Sequence, residues 1–257
     1  MYPVLFKIGP LRIASYGTML AVAFVAGIWL ARREARRQGV DPERVTDLGV
    51  VVLVCSVVAA RLTYVLLHWK YFAGHAGEIV QVWTGGLSFH GGLFGGVLGA
   101  AVYSKASRVG FWRLSEVCTL SLPLGYAIAR LGCFLNGCCY GGRTSLPWGF
   151  AFHLTADRPE VTAPSHPAQL YASALNLLLF WGLLRLRRRP HREGQLFAWY
   201  LVGYSIARII VEYFRRGVTA SVVWDGVTQA QAASLVVIVL GVLLSLWLGR
   251  RKEAAKK

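Results

Sequence analysis

The chain has 257 residues, of which 55% are hydrophobic and 16% charged, with a mean hydropathy of +0.48. A soluble domain carries about 25% charged residues, and the long apolar runs here exclude an ordinary soluble protein. The formal net charge of +16 would suit nucleic acid, but most basic residues flank apolar windows and no basic and aromatic stripe is present, so we expect no nucleic-acid partner.

The first fifteen residues do not resemble a secretory signal, because no basic stretch precedes the apolar one and no small-residue cleavage site follows. We therefore expect the N-terminus to be retained. Seven apolar windows of about 17–22 residues come next, each long enough to cross about 30 Å of hydrocarbon. They cover approximately 16–31, 48–68, 87–103, 117–134, 170–186, 196–214 and 230–248.

The third window is rich in glycine. Gly91, Gly95 and Gly99 share one helical face, as do Gly92 and Gly96. Small residues let helices approach closely in lipid, so we expect this window to pack tightly against a neighbouring helix.

The segments between the windows alternate in charge. Of the 28 lysines and arginines, 18 lie in the first, third and fifth connections and the C-terminal tail. The positive-inside rule places these segments in the cytoplasm and the N-terminus outside. The sequence thus predicts an all-α integral membrane protein with about seven transmembrane helices, in one polytopic domain over 1–257. We expect an outer, periplasmic loop at about 137–167 and a basic cytoplasmic tail at about 249–257.

Basic residues also occur where lipid makes them costly. Arg61, Arg130 and Arg208 lie inside windows, where each costs about 2.5–3.5 kcal/mol if placed mid-helix, and Arg215 follows the sixth window. A single such residue can be structural: carbonyl groups can satisfy Arg61, and Arg208 can pair with Glu212. Several arginines that converge on the outer side favour an anion site, most simply for a phospholipid phosphate.

Other polar residues lie near the same boundary. His90, in GGLSFHGGLFGG, is either a hydrogen-bonding residue or a group that moves a proton near neutral pH. Tyr16 is either an interfacial anchor or a donor to a lipid headgroup. The run ARLGCFLNGCCYGGRT, residues 129–144, places Asn136 at the boundary, and its glycines, Gly141 among them, allow irregular backbone. Irregular backbone at that depth indicates a cavity.

Three of the five cysteines crowd this run. Cys133 with Cys138 or Cys139 can form a disulfide in an oxidising envelope, or one of them can be a reactive thiol if a nearby arginine lowers its pKa. The spacing is not a usual zinc pattern, so we expect no metal. Cys55 and Cys118 lie in apolar windows, where we expect packing roles.

Four motifs together resemble bacterial prolipoprotein diacylglyceryl transferases: GGLSFHGGLFGG, ARLGCFLNGCCYGGRT, HPAQLY and ARIIVEYFRRG. Their order and their positions on helix ends match that family from Tyr16 to 216. The resemblance implies a transferase of the bacterial inner membrane with its active site towards the outer leaflet. It would move the diacylglyceryl group of phosphatidylglycerol, a membrane lipid, to the lipobox cysteine of a preprolipoprotein signal peptide, form a thioether and release glycerol phosphate, with no cofactor.

The resemblance also implies roles for individual residues. It makes His90 the base or orienting group and Arg130 and Arg215 the phosphate-binding catalytic residues. It makes Tyr16 and Asn136 headgroup contacts. Gly141, Arg208 and Glu212 are further substrate-binding or supporting positions within the motifs. Arg61 lies outside the motifs, and its position inside an apolar window adds it to this group.

The chain departs from the family pattern at three positions. Cys133 stands where the family usually has asparagine, Cys138 where it has glutamate, and Ala172 where glutamate follows HPAQLY. Two alternatives therefore remain beside the transferase. One is a membrane thiol oxidoreductase that uses Cys138 and Cys139, although such enzymes usually carry C-x-x-C. The other is a lipid-binding or transport paralogue without chemistry.

Overall fold

The computed structural model describes residues 2–8, 11–153, 161–215, 222–224 and 226–250. Within these ranges the chain is mostly helical, which confirms the predicted all-α class. Residues 154–160 of the expected outer loop and 251–257 of the expected tail lie outside the described residues. The helices are α1 Ser15–Arg37, α2 Pro42–Leu67, α3 Trp69–Phe72, α4 Phe89–Ser107, α5 Phe111–Cys118, α6 Ser121–Asn136, α7 Ala168–Leu186, α8 Gln195–Tyr213 and α9 Gln229–Arg250.

Membrane-spanning helices dominate the described chain. Five of them, α1, α2, α7, α8 and α9, are long and apolar enough to cross a bilayer, and the bent pair α5 and α6 makes a sixth candidate. The protein is therefore a multi-pass membrane protein. The glycine-rich α4 corresponds to the predicted third window but is not among these candidates, so the count of seven and the orientation stay predictions.

Two short β-hairpins accompany the helices. Strands β1 (Val4–Ile8) and β2 (Leu11–Ala14) pair antiparallel, and β2 leads directly into α1. Strands β3 (Val222–Trp224) and β4 (Val227–Thr228) form the second hairpin, immediately before α9. The backbone N–H of Tyr2 donates to the carbonyl of Leu135 at 3.0 Å, which attaches the first hairpin to the end of α6. The sequence did not predict either hairpin.

Local signals start and stop the helices. Asp41 accepts a hydrogen bond from the backbone N–H of Glu43 at 3.0 Å, and Pro42 occupies the first turn of α2, where its missing N–H costs nothing. Ser88 caps α4 by accepting from Gly91 at 3.4 Å. Gly137 ends α6 in the left-handed region at φ 79°, a conformation that glycine adopts without strain.

The contacts divide the chain into two compact units: Met1–Leu30 with Cys118–Lys257, and Ala31–Val117. The second unit contains α2 to α4 and nearly all of α5. In it, α4 packs on α2 through its glycines: a Cβ added at Gly99 would lie 2.9 Å from the side chain of Cys55, and one at Gly95 would collide with Ala59. The predicted close packing of this face is confirmed.

The first unit joins the start of α1 to α6, α7, α8 and α9. Four leucines form a buried cluster there: Leu30, Leu120, Leu183 and Leu196. Near the other end of α1, a Cβ added at Gly132 of α6 would lie 2.8 Å from the Cβ of Met19. The absence of a side chain at Gly132 thus lets α1 lie close against the C-terminal half of α6, where the polar residues collect.

Candidate functional site

The C-terminal end of α8 carries two arginines around one carboxylate. Glu212 is only 3% exposed, and its Oε2 lies 2.6 Å from Nη1 of Arg208 and 3.9 Å from Nη1 of Arg215. The helical spacing of four and three residues produces this arrangement. One negative charge between two positive ones leaves this trio with a net positive charge, which favours a bound anion.

Arg130 of α6 lies over an aromatic residue of its own helix. Its guanidinium carbon is 4.7 Å from the ring centre of Tyr126, and its Nη2 donates to the Tyr126 hydroxyl. Among the described residues Arg130 pairs with no carboxylate. A guanidinium fixed by stacking retains donors that can bind a phosphate with little further loss of entropy.

Tyr126 links the two arginine-bearing helices. Its ring packs edge-on against Tyr204 of α8, with the ring centres 5.3 Å apart. The charges of both Arg130 and Arg208 act on Tyr204. The arginines of α6 and α8 therefore face the same part of the first unit. Tyr126 and Tyr204 were not predicted from the sequence. In an apolar window, an aromatic residue that links two helices has the same pattern as one that only packs.

Three thiols gather where α6 ends. The Sγ atoms of Cys133, Cys138 and Cys139 all lie within 4.8 Å of one another, and those of Cys138 and Cys139 are 3.7 Å apart. All three cysteines are free thiols in this structure, so the disulfide alternative does not describe it. The turn depends on Gly137 and on Cys139, which has a positive φ of 67°.

The charges of the arginines reach this thiol cluster. The neighbouring thiols Cys133 and Cys138 lower the pKa of the Cys139 thiol, and the positive charges of Arg130 and Arg215 lower it further, against the effect of burial. This is the direction expected for a thiol beside cationic groups. The two arginines therefore favour a negative charge on the thiol cluster.

Backbone hydrogen bonds join the loop after the cluster to α8. Gly141 donates to the carbonyl of His166 at 2.9 Å, and Gly142 donates to the carbonyl of Phe214 at 2.8 Å. A Cβ at Gly141 would collide with that same Phe214 carbonyl, so only glycine fits. These bonds position Gly141 beside the residue that precedes Arg215, which gives it a structural function in the same region.

A buried amide fixes the other side of the loop. Gln169, at the start of α7, is 1% exposed, and its Nε2 donates to the carbonyl of Cys138 at 2.6 Å. The HPAQLY motif therefore contributes a residue that holds the thiol-bearing turn. Its following residue Ala172 is buried at 3% exposure, within a cluster that includes Val211 of α8.

Tyr16 and Asn136 lie in the same neighbourhood. Tyr16, 41% exposed, interacts electrostatically with Arg130 and with all three thiols of the cluster. Asn136, the last residue of α6, interacts electrostatically with Cys138. Both residues can therefore contact a polar group that is bound near Arg130.

Two predicted residues belong to the second unit, where each has its own surroundings. His90 is exposed in the first turn of α4, with its ring 5.7 Å from that of Phe89. Arg61 is 6% exposed and donates to the carbonyls of Ile79, Gly85, Gly86 and Glu78 at 2.6–3.1 Å. These contacts favour the structural alternative for Arg61, that carbonyl groups satisfy it, over a contact with substrate.

A cavity of about 400 Å³ lies in the first unit among α7, α8 and α9. Its lining is apolar and includes Leu183, Trp199 and Leu246. Leu183 lies towards the C-terminal end of α7 and Trp199 in the N-terminal half of α8. Gln169 lies near the opposite end of α7, and Arg215 follows the opposite end of α8. The cavity is therefore separate from the arginine cluster.

The fold and the arginine cluster define a class of protein: a multi-pass membrane protein in which helices α6 and α8 carry arginines around the same part of the first unit. The family described as prolipoprotein diacylglyceryl transferase matches residues 3–247. The chain belongs to this family.

Several curated relatives align over most of the chain. A phosphatidylglycerol–prolipoprotein diacylglyceryl transferase of Geobacillus kaustophilus is 38% identical, with 99% of this chain and 94% of that protein covered. A relative of the same name from Thermosynechococcus vestitus is 37% identical over 91% of this chain and 88% of its own length. A relative of the same name from Bacillus velezensis is 32% identical, with 99% of this chain and 95% of that protein covered.

Proposed function

We propose that this protein is a transferase that moves the diacylglyceryl group of phosphatidylglycerol to the lipobox cysteine thiol of preprolipoproteins. The observation that carries the proposal is the convergence of Arg130, Arg208 and Arg215 at one end of the first unit. The names of the curated relatives support this function and neither of the two alternatives, the thiol oxidoreductase and the lipid-binding paralogue.

The reaction is a displacement at the glycerol carbon that carries the phosphate. The substrate thiol loses its proton to a base, its sulfur forms a bond to that carbon, and the carbon–oxygen bond to phosphate breaks. The leaving group is glycerol phosphate, whose phosphate gains one negative charge as the bond breaks. Groups that stabilise this growing charge accelerate the step, because they bind the transition state more strongly than the substrate.

The arginines suit that developing charge. Arg130 is fixed by Tyr126, and Arg215 is placed by Glu212 and by the loop that donates to Phe214. We assign both to the phosphate, with Arg208 and Glu212 as positioning residues. Fixed positive groups need no reorganisation as the charge grows, which is the origin of electrostatic catalysis.

The remaining assignments concern the headgroup and the proton. Tyr16 and Asn136 interact with the same thiol-bearing turn as Arg130, which supports them as headgroup contacts. His90 is exposed and can accept the thiol proton or orient the base. The site is assigned to the outer leaflet of the bacterial inner membrane, with the N-terminus outside and the C-terminus in the cytoplasm, on the charge asymmetry of the connecting segments.

Transfer can be measured directly with purified protein, phosphatidylglycerol vesicles and a fluorescent lipobox peptide. The expected product is the peptide thioether, together with one glycerol phosphate per peptide. Complementation of bacteria depleted of their own transferase tests the same activity in the cell. Wild-type protein that binds phosphatidylglycerol but forms no thioether would establish the lipid-binding alternative instead.

Variants test the site within the same assay. Arg215→Ala and His90→Ala should abolish transfer, whereas Arg143→Ala should not, because Arg143 is an exposed arginine of the outer loop with the same charge. Transfer at the wild-type rate in both Arg215→Ala and His90→Ala would refute the site assignment while leaving the transferase activity itself established.

A further inference from the structure

The thiol cluster has the geometry of a metal site. Four ligands that surround zinc tetrahedrally at about 2.3 Å lie about 3.8 Å from one another. The sulfurs of Cys138 and Cys139 are 3.7 Å apart, and all three sulfurs of the cluster lie within 4.8 Å. Small side-chain rotations would therefore bring the three thiols to coordination distance of one ion.

The spacing of the three cysteines in the sequence does not predict that their sulfurs lie so close together. Cys133 lies in the last turns of α6, and the chain reverses immediately after it, through Gly137 and the positive φ of Cys139. The backbone N–H of Cys138 donates to the carbonyl of Cys133 at 3.1 Å, and Gln169 holds the carbonyl of Cys138. The turn that gathers the sulfurs is therefore fixed by the protein at three points, as expected of a built site.

The surrounding charges suit a bound zinc ion. Zn²⁺ with three thiolates carries one net negative charge, and the positive charges of Arg130 and Arg215 act on Cys139. The negative charge of the zinc–thiolate complex is therefore complementary to the positive charges of these two arginines. Cys133 is 7% exposed and its two partners are half-buried, so the site is shielded on one side and accessible on the other.

We propose that Cys133, Cys138 and Cys139 form a binding site for a thiophilic metal ion, Zn²⁺, with one coordination position open to an exogenous ligand. Among the described residues no fourth side chain of the ligating types joins the group. Three protein ligands and one open position are the arrangement of zinc sites that exchange a ligand. Water or a thiol would complete the coordination.

The test is metal binding by the full-length protein, without turnover. Protein purified in detergent under reducing conditions and stripped by a chelator is titrated with Zn²⁺ against a chromogenic competitor. We expect one ion per chain. Cys133→Ser, Cys138→Ser and Cys139→Ser should each weaken binding by about 100-fold or more, since loss of a ligand costs at least as much as loss of an outer-shell partner.

Cys118→Ser is the matched control, because Cys118 is a free thiol outside the cluster, and it should bind Zn²⁺ as the wild type does. If a variant fails to fold, a protection experiment on the wild-type protein takes its place. Zn²⁺ should slow the maleimide labelling of the three cluster thiols and leave the labelling rates of Cys55 and Cys118 unchanged. Co²⁺ substitution should give thiolate-to-metal charge-transfer absorption that shifts when a small thiol is added.

Three results would overturn the proposal: no stoichiometric Zn²⁺ binding by the wild type, equal affinity in the cluster variants and the control, or a disulfide among the three thiols. The last would appear as two fewer alkylated cysteines in the intact mass of protein purified without reductant. Transfer activity does not enter these readouts, so failure of the metal site and failure of the transferase assignment are distinguishable.

Discussion

Replacement of Arg130 tests whether a fixed guanidinium stabilises the leaving phosphate. As the carbon–oxygen bond breaks, the phosphate gains one negative charge. At a separation of about 4 Å and an effective dielectric constant of about 20, a unit positive charge stabilises that added charge by about 4 kcal/mol. A change of about 1.4 kcal/mol in the activation free energy alters the rate tenfold. Loss of this stabilisation in Arg130→Ala should therefore lower kcat by about 10³-fold. This agrees with the factor of about 10²–10³ that follows the loss of one fixed donor to a developing oxyanion.

The companion variant Arg130→Lys separates charge from geometry. Lysine retains the positive charge but loses the planar stack on Tyr126 at 4.7 Å and the fixed fork of donors. We expect Arg130→Lys to retain only part of the stabilisation of about 4 kcal/mol, because a mobile ammonium is less well placed than the fixed guanidinium. The kcat of this variant should remain at least about tenfold below that of the wild type.

The assay is steady-state transfer from phosphatidylglycerol vesicles to a lipobox peptide, with kcat and KM determined separately. The effect should fall on kcat, since the added charge exists only once the bond is breaking. Arg143→Ala serves as the control, and thermal unfolding in detergent confirms that each variant is folded. A kcat for Arg130→Ala within threefold of wild type, in folded protein, would refute the electrostatic reasoning.

Three further variants test other parts of the structure. Glu212→Gln should lower the free energy of unfolding by about 3 kcal/mol, because the buried carboxylate pairs with arginines on both sides; an unchanged Tm would contradict this. His90→Gln should reduce kcat by about 10²-fold or more but leave Tm unchanged, because His90 is exposed; a loss of stability instead would indicate a structural role. Gly95→Ala should destabilise the packing of α4 on α2 by about 1–3 kcal/mol, whereas Gly92→Ala, whose added Cβ would lie 3.5 Å from its nearest neighbours, should be tolerated; equal denaturant midpoints would exclude the close-packing account.

Hydrophobic windows predicted the long helices well because a helix in lipid must satisfy its own backbone hydrogen bonds. Their ends were harder to place. Helix α1 continues to Arg37, six residues beyond the apolar window, since nothing in its charged last turns breaks a helix outside the hydrocarbon. The fourth window, 117–134, begins in the last two residues of α5, and a break at Thr119 and Leu120 separates them from α6. The short hairpins gave too few alternating residues to be recognised.

The part of the candidate site on a regular helix could be predicted from the sequence, and the part on an irregular turn could not. Arg208, Glu212 and Arg215 share one helix, so helical periodicity alone places them together, and the structure gives the expected ion pairs. The thiol cluster follows no such period. Its geometry depends on two left-handed residues and on hydrogen bonds from distant parts of the chain, Gln169 among them. Ligand spacing in a sequence is informative only where the intervening backbone is regular. Here a spacing that argued against zinc encodes a turn that brings the three sulfurs within 4.8 Å of one another, where the charge of Arg130 acts on the thiol cluster.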